Sequence, residues 1–205
     1  DCYRLVVRFY RPWTQAERAL YNELPAQIAS LRQKAGGRVR VVTAEEDAAL
    51  ASGAVWCGPY LADALSDAED GDIVVVAPHR TRHKTWGLGS SREPVVLSAS
   101  VQIVGLTTEA WKTCVDFGRR RLVESRCHCI LANLDVRLRG AVTVEHGGVL
   151  EMLSSRLEAS CAGSAVLVDG ASLVLRASRV EAPCLLARWL GVSASQAVAV
   201  RRSIV

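Results

Sequence analysis

The stretch SRLEA at positions 155–159 returns as SRVEA at positions 178–182, 23 residues later. A step of 23 back from Leu157 reaches Leu134, and a step of 24 forward from Val180 reaches Ile204. A fixed spacing in the low twenties is typical of repeat proteins, in which each repeat stacks on the one before it. The repeat therefore predicts a solenoid.

Neighbouring positions follow the same spacing. Steps of 23 or 24 relate Leu150 to Leu173 and Ala197, Met152 to Leu175 and Ala199, Cys127 to Leu150, Cys129 to Met152, and residues 141–144 to residues 165–168. Because side chains alternate along a strand, the apolar members of the repeat would face inward, and the Arg and Glu beside them outward. The predicted fold class is mainly β: a right-handed parallel β-helix of about five turns with a small N-terminal α/β module and a capping helix.

The predicted domains are an α/β module at residues 1–55 and the β-helix with its capping helix at residues 56–205. In the module we expect strands at 3–9 and 38–42, and two helices that begin at capping boxes. These boxes start at Thr14 and Thr43, and Pro25 should kink or divide the first helix.

A further helix is predicted to begin after Gly58. Its apolar stripe of Leu61, Ala64, Leu65 and Ala68 should cover the open end of the β-helix, since an uncovered end would expose unpaired strand edges.

The composition favours a globular protein without a membrane span. The chain has 205 residues and is 50% hydrophobic, which is ample for a packed core. Its apolar runs are far shorter than the roughly 18 residues needed to span a bilayer. Seven scattered cysteines, an odd number, favour reduced thiols and a cytoplasmic or nuclear location.

The C-terminus stops within a repeat, at Val205, without a polar cap. We therefore expect the chain to be part of a longer protein, or its last turn to be covered by another domain or a second copy.

Residues 62–78, with the strands at 94–97 and 101–105, resemble the opening of the pectate-lyase-like superfamily. A helix leads to Gly-Asp and an apolar strand, and a second apolar strand ends in Gly one turn later. The resemblance covers residues 58–205. Within the superfamily the chain is most similar to intracellular, non-enzymatic β-helix domains: those of F-box proteins and of the Shc SH2-domain-binding proteins, the family of Nessun Dorma. This resemblance implies protein binding in a cytoskeletal or cell-division setting.

A carboxylate ladder of Asp135, Glu158 and Glu181 is the candidate for catalysis. Neighbouring strands lie about 4.8 Å apart, close to the roughly 5 Å between the carboxylates of a retaining glycosidase. However, Arg156 and Arg179 precede the two glutamates by two residues, and opposite charges on one face stabilise each other. We therefore predict a salt-bridged exterior and no catalytic residue.

The sequence Cys127-His128-Cys129 resembles a metal site. In a strand the two thiols would point inward and the imidazole outward, so the three could not converge on one ion. We predict core cysteines, with no metal and no cofactor.

Two basic clusters are the predicted partner-binding residues. The first contains His79, Arg80, Arg82, His83 and Lys84, where the superfamily has Gly-x-Tyr. The second, Arg119, Arg120 and Arg121, lies where an insertion between Gly105 and Cys127 is expected to break the repeat. Both suit a protein partner with an acidic surface.

The sequence thus predicts a non-catalytic interaction or scaffold domain. Two alternatives stay open: a β-helix that binds or cleaves a polysaccharide, and binding of an anion or nucleic acid through the basic loops.

Overall fold

The computed structural model describes residues 15–34, 38–43, 54–77, 86–87, 95–106, 113–116, 122–138, 142–145, 147–159, 165–169, 172–181, 184–188, 191–195 and 200–201. Two helices are described, α1 (Gln15–Lys34) and α2 (Leu61–Ser66). The strands are β1 (Val39–Val42), β2 (Trp56–Gly58), β3 (Ile73–Val76), β4 (Trp86–Gly87), β5 (Val95–Leu97), β6 (Gln102–Gly105), β7 (Thr113–Asp116), β8 (Leu122–Ser125), β9 (His128–Ala132), β10 (Leu134–Leu138), β11 (Val142–Glu145), β12 (Val149–Leu153), β13 (Arg156–Ala159), β14 (Ala165–Asp169), β15 (Ser172–Arg176), β16 (Arg179–Glu181), β17 (Cys184–Arg188), β18 (Gly191–Ser195) and β19 (Val200–Arg201).

These strands form three parallel sheets. Sheet 1 has eight strands in the order β18-β15-β12-β9-β6-β3-β1-β2. Sheet 2 has six in the order β19-β16-β13-β10-β7-β4, and sheet 3 has five in the order β17-β14-β11-β8-β5. From β3 onward, each strand pairs with the strand three places later in the chain.

The predicted fold class, a mainly-β right-handed β-helix of about five turns behind a separate N-terminal module, is wrong. The described chain is an α/β fold of parallel sheets, and its described residues form no closed solenoid. The N-terminal strand belongs to sheet 1, where Val41 pairs with Cys57 on one side and Val75 on the other. The repeat in the sequence reports which strands pair, and it carries no information on how strands of different sheets are joined.

Several predicted register positions are confirmed. Leu157 pairs with Val180, Leu150 with Leu173, Met152 with Leu175, and residues 142–144 with residues 166–168. Other steps are wrong. Leu157 pairs with Val136 instead of Leu134, and Leu150 with Cys129 instead of Cys127, each a shift of two residues. Leu173 pairs with Val192 instead of Ala197, and Val180 with Val200 instead of Ile204, shifts of five and four. A shift of two keeps every side chain on its own face, so hydrophobicity alone does not distinguish the two registers.

The corners between sheets 1 and 2 set the register. Each of the three such corners that the structure describes is turned by one residue with positive φ: Asn133 (55°), Ser154 (47°) and Ala177 (47°). The corners stack, because the Asn133 N–H donates to the Leu153 carbonyl (3.0 Å) and the Ser154 N–H to the Arg176 carbonyl (2.9 Å). These corners lie 21 and 23 positions apart, so a constant step of 23 misplaces one of them.

The spacing is longer where the sequence predicts an insertion between Gly105 and Cys127, since Gln102 pairs with Ile130, 28 positions on, and Ile130 with Glu151, 21 positions on. The inserted stretch still contains two strands, which pair in sheets 2 and 3: β7 with β4 and β10, and β8 with β5 and β11.

The main core lies on the inner face of sheet 1. It includes Val74, Leu131 and Met152 from this sheet, and Val136 and Leu157 from sheet 2. The predicted stripe of α2 is confirmed, because Leu61, Ala64 and Leu65 are buried in this core and Ala68 packs against it.

Helix α1 runs from Gln15 to Lys34 through Pro25, so the proline does not divide it. Strands β1, β3, β5 and β6 lie where the sequence predicts strands. The predicted strand at 3–9 and the helix after Thr43 lie outside the described residues.

Candidate interaction surface

The outer face of sheet 1 is the face opposite the main core. Two rows of paired residues run across it: Val41, Val75, Val104, Ala132, Leu153 and Arg176 in one, and Val39, Ile73, Gln102, Ile130, Glu151 and Val174 in the other. Both rows are apolar at β1 and β3 and include polar residues further along the sheet, Arg176 in the first row and Gln102 and Glu151 in the second. Strands of a parallel sheet that are covered on both sides are apolar throughout, so this change indicates that cover decreases along the sheet.

Helix α1 covers the first strands of this face. Ile28 is buried in a second apolar cluster with Val39, Val41, Ile73, Val75 and Leu106, against which Leu31, Ala54 and Val104 pack. The helix contacts β1 and β3. Of the described side chains of α1, Ile28 and Leu31 pack on this face.

Beyond α1 the described part of the outer face mixes apolar and polar side chains. The apolar side chains there that are neither buried nor fully exposed are Ile130, Ala132, Val149, Leu153 and Val174. Single exposed apolar residues need no explanation, whereas a contiguous apolar patch with polar residues around it is typical of a surface that binds another molecule.

One ionic network lies in this part of the face. The Glu151 carboxylate forms an ion pair with the Arg176 guanidinium, with a distance of 2.8 Å to Nε, and lies 3.1 Å from His128 Nε2. The Glu151 side chain is 13% exposed, and those of His128 and Arg176 are 50% and 60% exposed. The carboxylate is therefore largely covered, and the Arg176 guanidinium and the His128 imidazole are the accessible part of the network.

Neither Glu151 nor Arg176 is among the functional residues predicted from the sequence. A signal was present, since His128 and Glu151 are 23 positions apart, which is the repeat spacing. It was missed because the two side chains meet diagonally: the register partner of His128 is Val149.

A second cluster of charges holds β1 to β3. The buried Asp72 carboxylate forms a hydrogen-bonded ion pair with the Arg40 Nε at 2.9 Å. It also lies 2.7 Å from the Arg38 Nε, and this second ion pair does not have hydrogen-bond geometry. Arg38 also binds Glu69 at 2.6 Å, and this bond is the largest cause that raises the pKa of Arg38. Every charged group in the cluster has a partner within it, so its role is structural.

The predicted carboxylate ladder lies on sheet 2. Glu158 pairs with Glu181 as predicted, but its other neighbour is Arg137, and Asp135 pairs with Arg156. The predicted ion pair of Arg156 with Glu158 is confirmed, with an Nη2 to Oε2 distance of 3.4 Å. The charged residues of these two rows are Asp116, Asp135, Arg137, Arg156, Glu158, Arg179, Glu181 and Arg201. Four are acidic and four basic, so the two rows together carry no net charge.

The predicted orientation of residues 127–129 is confirmed: Cys127 and Cys129 are buried in the main core, and His128 is exposed. Among the described residues, no group of three or more His, Cys, Asp and Glu side chains is placed to hold a metal ion. No helix in the described part of the chain is both long and apolar enough to cross a membrane.

The predicted partner-binding residues lie outside the described residues. This applies to His79, Arg80, Arg82, His83 and Lys84, and to Arg119, Arg120 and Arg121. Their role stays a prediction.

Comparison of the chain with protein-family models, with curated proteins and with solved structures finds no match. The resemblance to the pectate-lyase-like superfamily is therefore untested, and the function has to be argued from the surface itself.

Proposed function

We propose that this chain is a non-catalytic protein-interaction domain that binds its partner through the outer face of sheet 1. The observation that carries the proposal is the group of partly exposed apolar residues beyond α1, Ile130, Ala132 and Leu153, with the exposed Arg176 side chain beside it. Apolar area supplies affinity in protein interfaces, and charged groups supply specificity.

The carboxylates support a non-catalytic role. Glu158 has a basic neighbour on each of two sides, since it is paired with Arg156 at 3.4 Å and its register partner on β10 is Arg137. The rows of sheet 2 contain equal numbers of acidic and basic residues, as a solvated exterior requires.

The setting of the interaction is a part of the proposal that rests on the sequence. The odd number of scattered cysteines favours reduced thiols and a cytoplasmic location. The cytoskeletal or cell-division setting follows from the resemblance alone.

The test is site-specific photo-crosslinking in cell extract. A photoreactive amino acid replaces Arg176 on the outer face, and a matched control carries it at Val55, which is 57% exposed at the far edge of sheet 1. We expect a specific protein adduct from position 176 and none from position 55. Equal labelling from both positions, or no adduct from position 176, would contradict the proposal.

The basic clusters are tested separately by charge reversal at Arg80, Arg82 and Lys84, and at residues 119–121. If these loops add to the contact, reversal weakens capture of the same partner, and the effect decreases with added salt. Retention of the same partner through both reversals would restrict the contact to sheet 1.

A carbohydrate-binding function predicts a different result. Binding on a glycan array that is lost in Glu158→Gln would favour that alternative over the proposed one.

A further inference from the structure

A helix, α1, packs on the outer face of sheet 1, but it covers only some of the strands. Parallel sheets normally carry helices on both faces, because their strands are apolar on both sides. Here α1 covers β1 and β3, and the row that it covers at Val41 and Val75 continues to Ala132 and Leu153, which are only partly buried. The surface that receives α1 thus extends beyond it.

The usual spacing of helices packed on a sheet indicates where a second helix would lie beside α1. Helices packed side by side lie about 8–10 Å apart, and neighbouring strands about 4.8 Å apart. A helix beside α1 therefore lies about two strands further along the sheet, over β6 and β9, with its far side on β12. The partly buried apolar residues at this position are Val104, Ile130, Ala132 and Leu153.

Charge restricts what such a helix can be. On the far side of this position, His128 and Arg176 are half-exposed or more, and Arg126 is exposed at the adjacent corner. The nearby carboxylate, Glu151, is largely covered and contacts both Arg176 and His128, so the accessible charged groups here are the guanidinium groups of Arg176 and Arg126. The accessible charge is therefore positive.

We infer that the outer face of sheet 1 binds an amphipathic helix of a partner protein, placed beside α1. Its apolar stripe packs on Ile130, Ala132 and Leu153, and its acidic flank faces Arg176 and His128. This inference rests on the proposed function and names the partner's class. The contact follows the usual mode in which an amphipathic helix places its apolar side on a hydrophobic surface.

The test uses two synthetic helical peptides with the same leucine stripe at positions i, i+3, i+4 and i+7. One carries Glu along both flanks, and the other carries Lys at the same positions. Fluorescence anisotropy with the full chain measures binding at low and at moderate salt. We expect the Glu peptide to bind at least about tenfold more tightly than the Lys peptide, and the difference to shrink with salt. Equal affinity, or tighter binding of the Lys peptide, would overturn the inference.

Charge reversal provides the matched control. Arg176→Glu should reverse the preference between the two peptides, and Val55→Glu at the far edge of the sheet should leave it unchanged. Both side chains are more than half exposed, so both variants should fold, which circular dichroism and thermal unfolding verify. An unchanged preference in folded Arg176→Glu would show that the acidic flank does not lie there.

The apolar contact is tested with Leu153→Ala. This variant should bind both peptides more weakly and should still bind the Glu peptide more tightly than the Lys peptide. Unaltered affinity in the folded variant would overturn the proposed position of the helix.

The two proposals fail in different ways. Photo-crosslinking of a protein at position 176 without any preference between the peptides would overturn the helix inference and leave the proposed function standing. Absence of any adduct at position 176 would overturn the proposed function, whichever peptide binds. If sedimentation shows a dimer that Arg176→Glu dissociates, the face binds a second copy of this chain, and the partner helix is excluded.

Discussion

At the scale of single residues, the corner between sheets 1 and 2 is stabilised by a stacked pair of serine hydroxyls. The Leu134 N–H donates to Ser155 Oγ (3.1 Å), and the Ser155 N–H donates to Ser178 Oγ (3.0 Å). The Ser155 hydroxyl in turn lies 2.9 Å from the Leu131 carbonyl oxygen and 2.8 Å from that of Leu153. Both serines are buried, so each hydroxyl satisfies backbone groups that water does not reach.

We therefore expect Ser155→Ala to destabilise the protein by about 1–3 kcal/mol, because it leaves the buried Leu134 N–H without an acceptor. Urea unfolding followed by circular dichroism measures the change. The control is Ser98→Ala, since Ser98 is exposed, and it should alter the stability by less than about 0.5 kcal/mol. Equal effects of the two substitutions would show that the hydroxyl ladder contributes nothing.

The residue before each corner serine has an unfavourable backbone conformation. Ala177 has φ of 47°, in the left-handed region, which costs an L-residue about 1–2 kcal/mol. Glycine avoids this cost and loses only about 0.5–1 kcal/mol of conformational entropy.

Ala177→Gly should thus stabilise the protein by about 0.5–1 kcal/mol. The same change at the exposed helical Ala29 should destabilise it by about 1 kcal/mol. Thermal unfolding of both variants shows the signs directly. Destabilisation by Ala177→Gly would mean that the alanine methyl group makes contacts worth more than the backbone strain.

At the scale of elements, β1 is attached to β3 by a buried ion cluster as well as by the sheet. Asp72 immediately precedes β3 and binds Arg38 and Arg40, which belong to the start of β1. It also accepts the Glu69 N–H (3.0 Å), so one carboxylate fixes the turn after α2 and the N-terminal strand together.

Asp72→Ala should cost about 3–5 kcal/mol, because it leaves the buried Arg40 guanidinium without its counter-ion. Glu23→Ala, at an exposed position on α1, should change the stability by less than about 0.5 kcal/mol. Chemical denaturation compares the two variants. A small effect of Asp72→Ala would show that water replaces the carboxylate, and that the cluster does not hold β1 in place.

At the scale of the whole molecule, β1 is an inner strand of sheet 1 and not part of a separate module. Its position between β2 and β3 means that it cannot unfold without breaking two ladders of hydrogen bonds. Its residues Val39 and Val41 also form the cluster with α1, and Val42 belongs to the main core.

Hydrogen exchange should therefore show β1 and β3 opening in one step. We expect the amides of the two strands to exchange with the same free energy and the same dependence on denaturant, while the last turn of α1 exchanges earlier. If β1 exchanged at a clearly lower free energy of opening than β3, β1 would open independently, as the separate N-terminal module predicted from the sequence would.

The candidate site could be predicted from the sequence only in part. The ion pair of Arg156 with Glu158 and the opposite orientations of Cys127 and His128 follow from side-chain alternation within one strand, so the sequence was sufficient for both. The network around Glu151 joins three strands diagonally. Its geometry depends on register, and register depends on the corner at Ser154.

By itself, the sequence determined which strands are apolar on one face and which distant segments pair, because both follow from local alternation and a repeated spacing. It also determined the helix α2 and its buried stripe. Only the tertiary structure decided that β1 enters sheet 1, that Leu157 lies beside Val136, and that the described chain is an α/β fold with no closed solenoid among its described residues. These outcomes depend on hydrogen bonds between backbone groups far apart in the chain, and a shift of two residues or an added strand leaves the hydrophobic pattern unchanged.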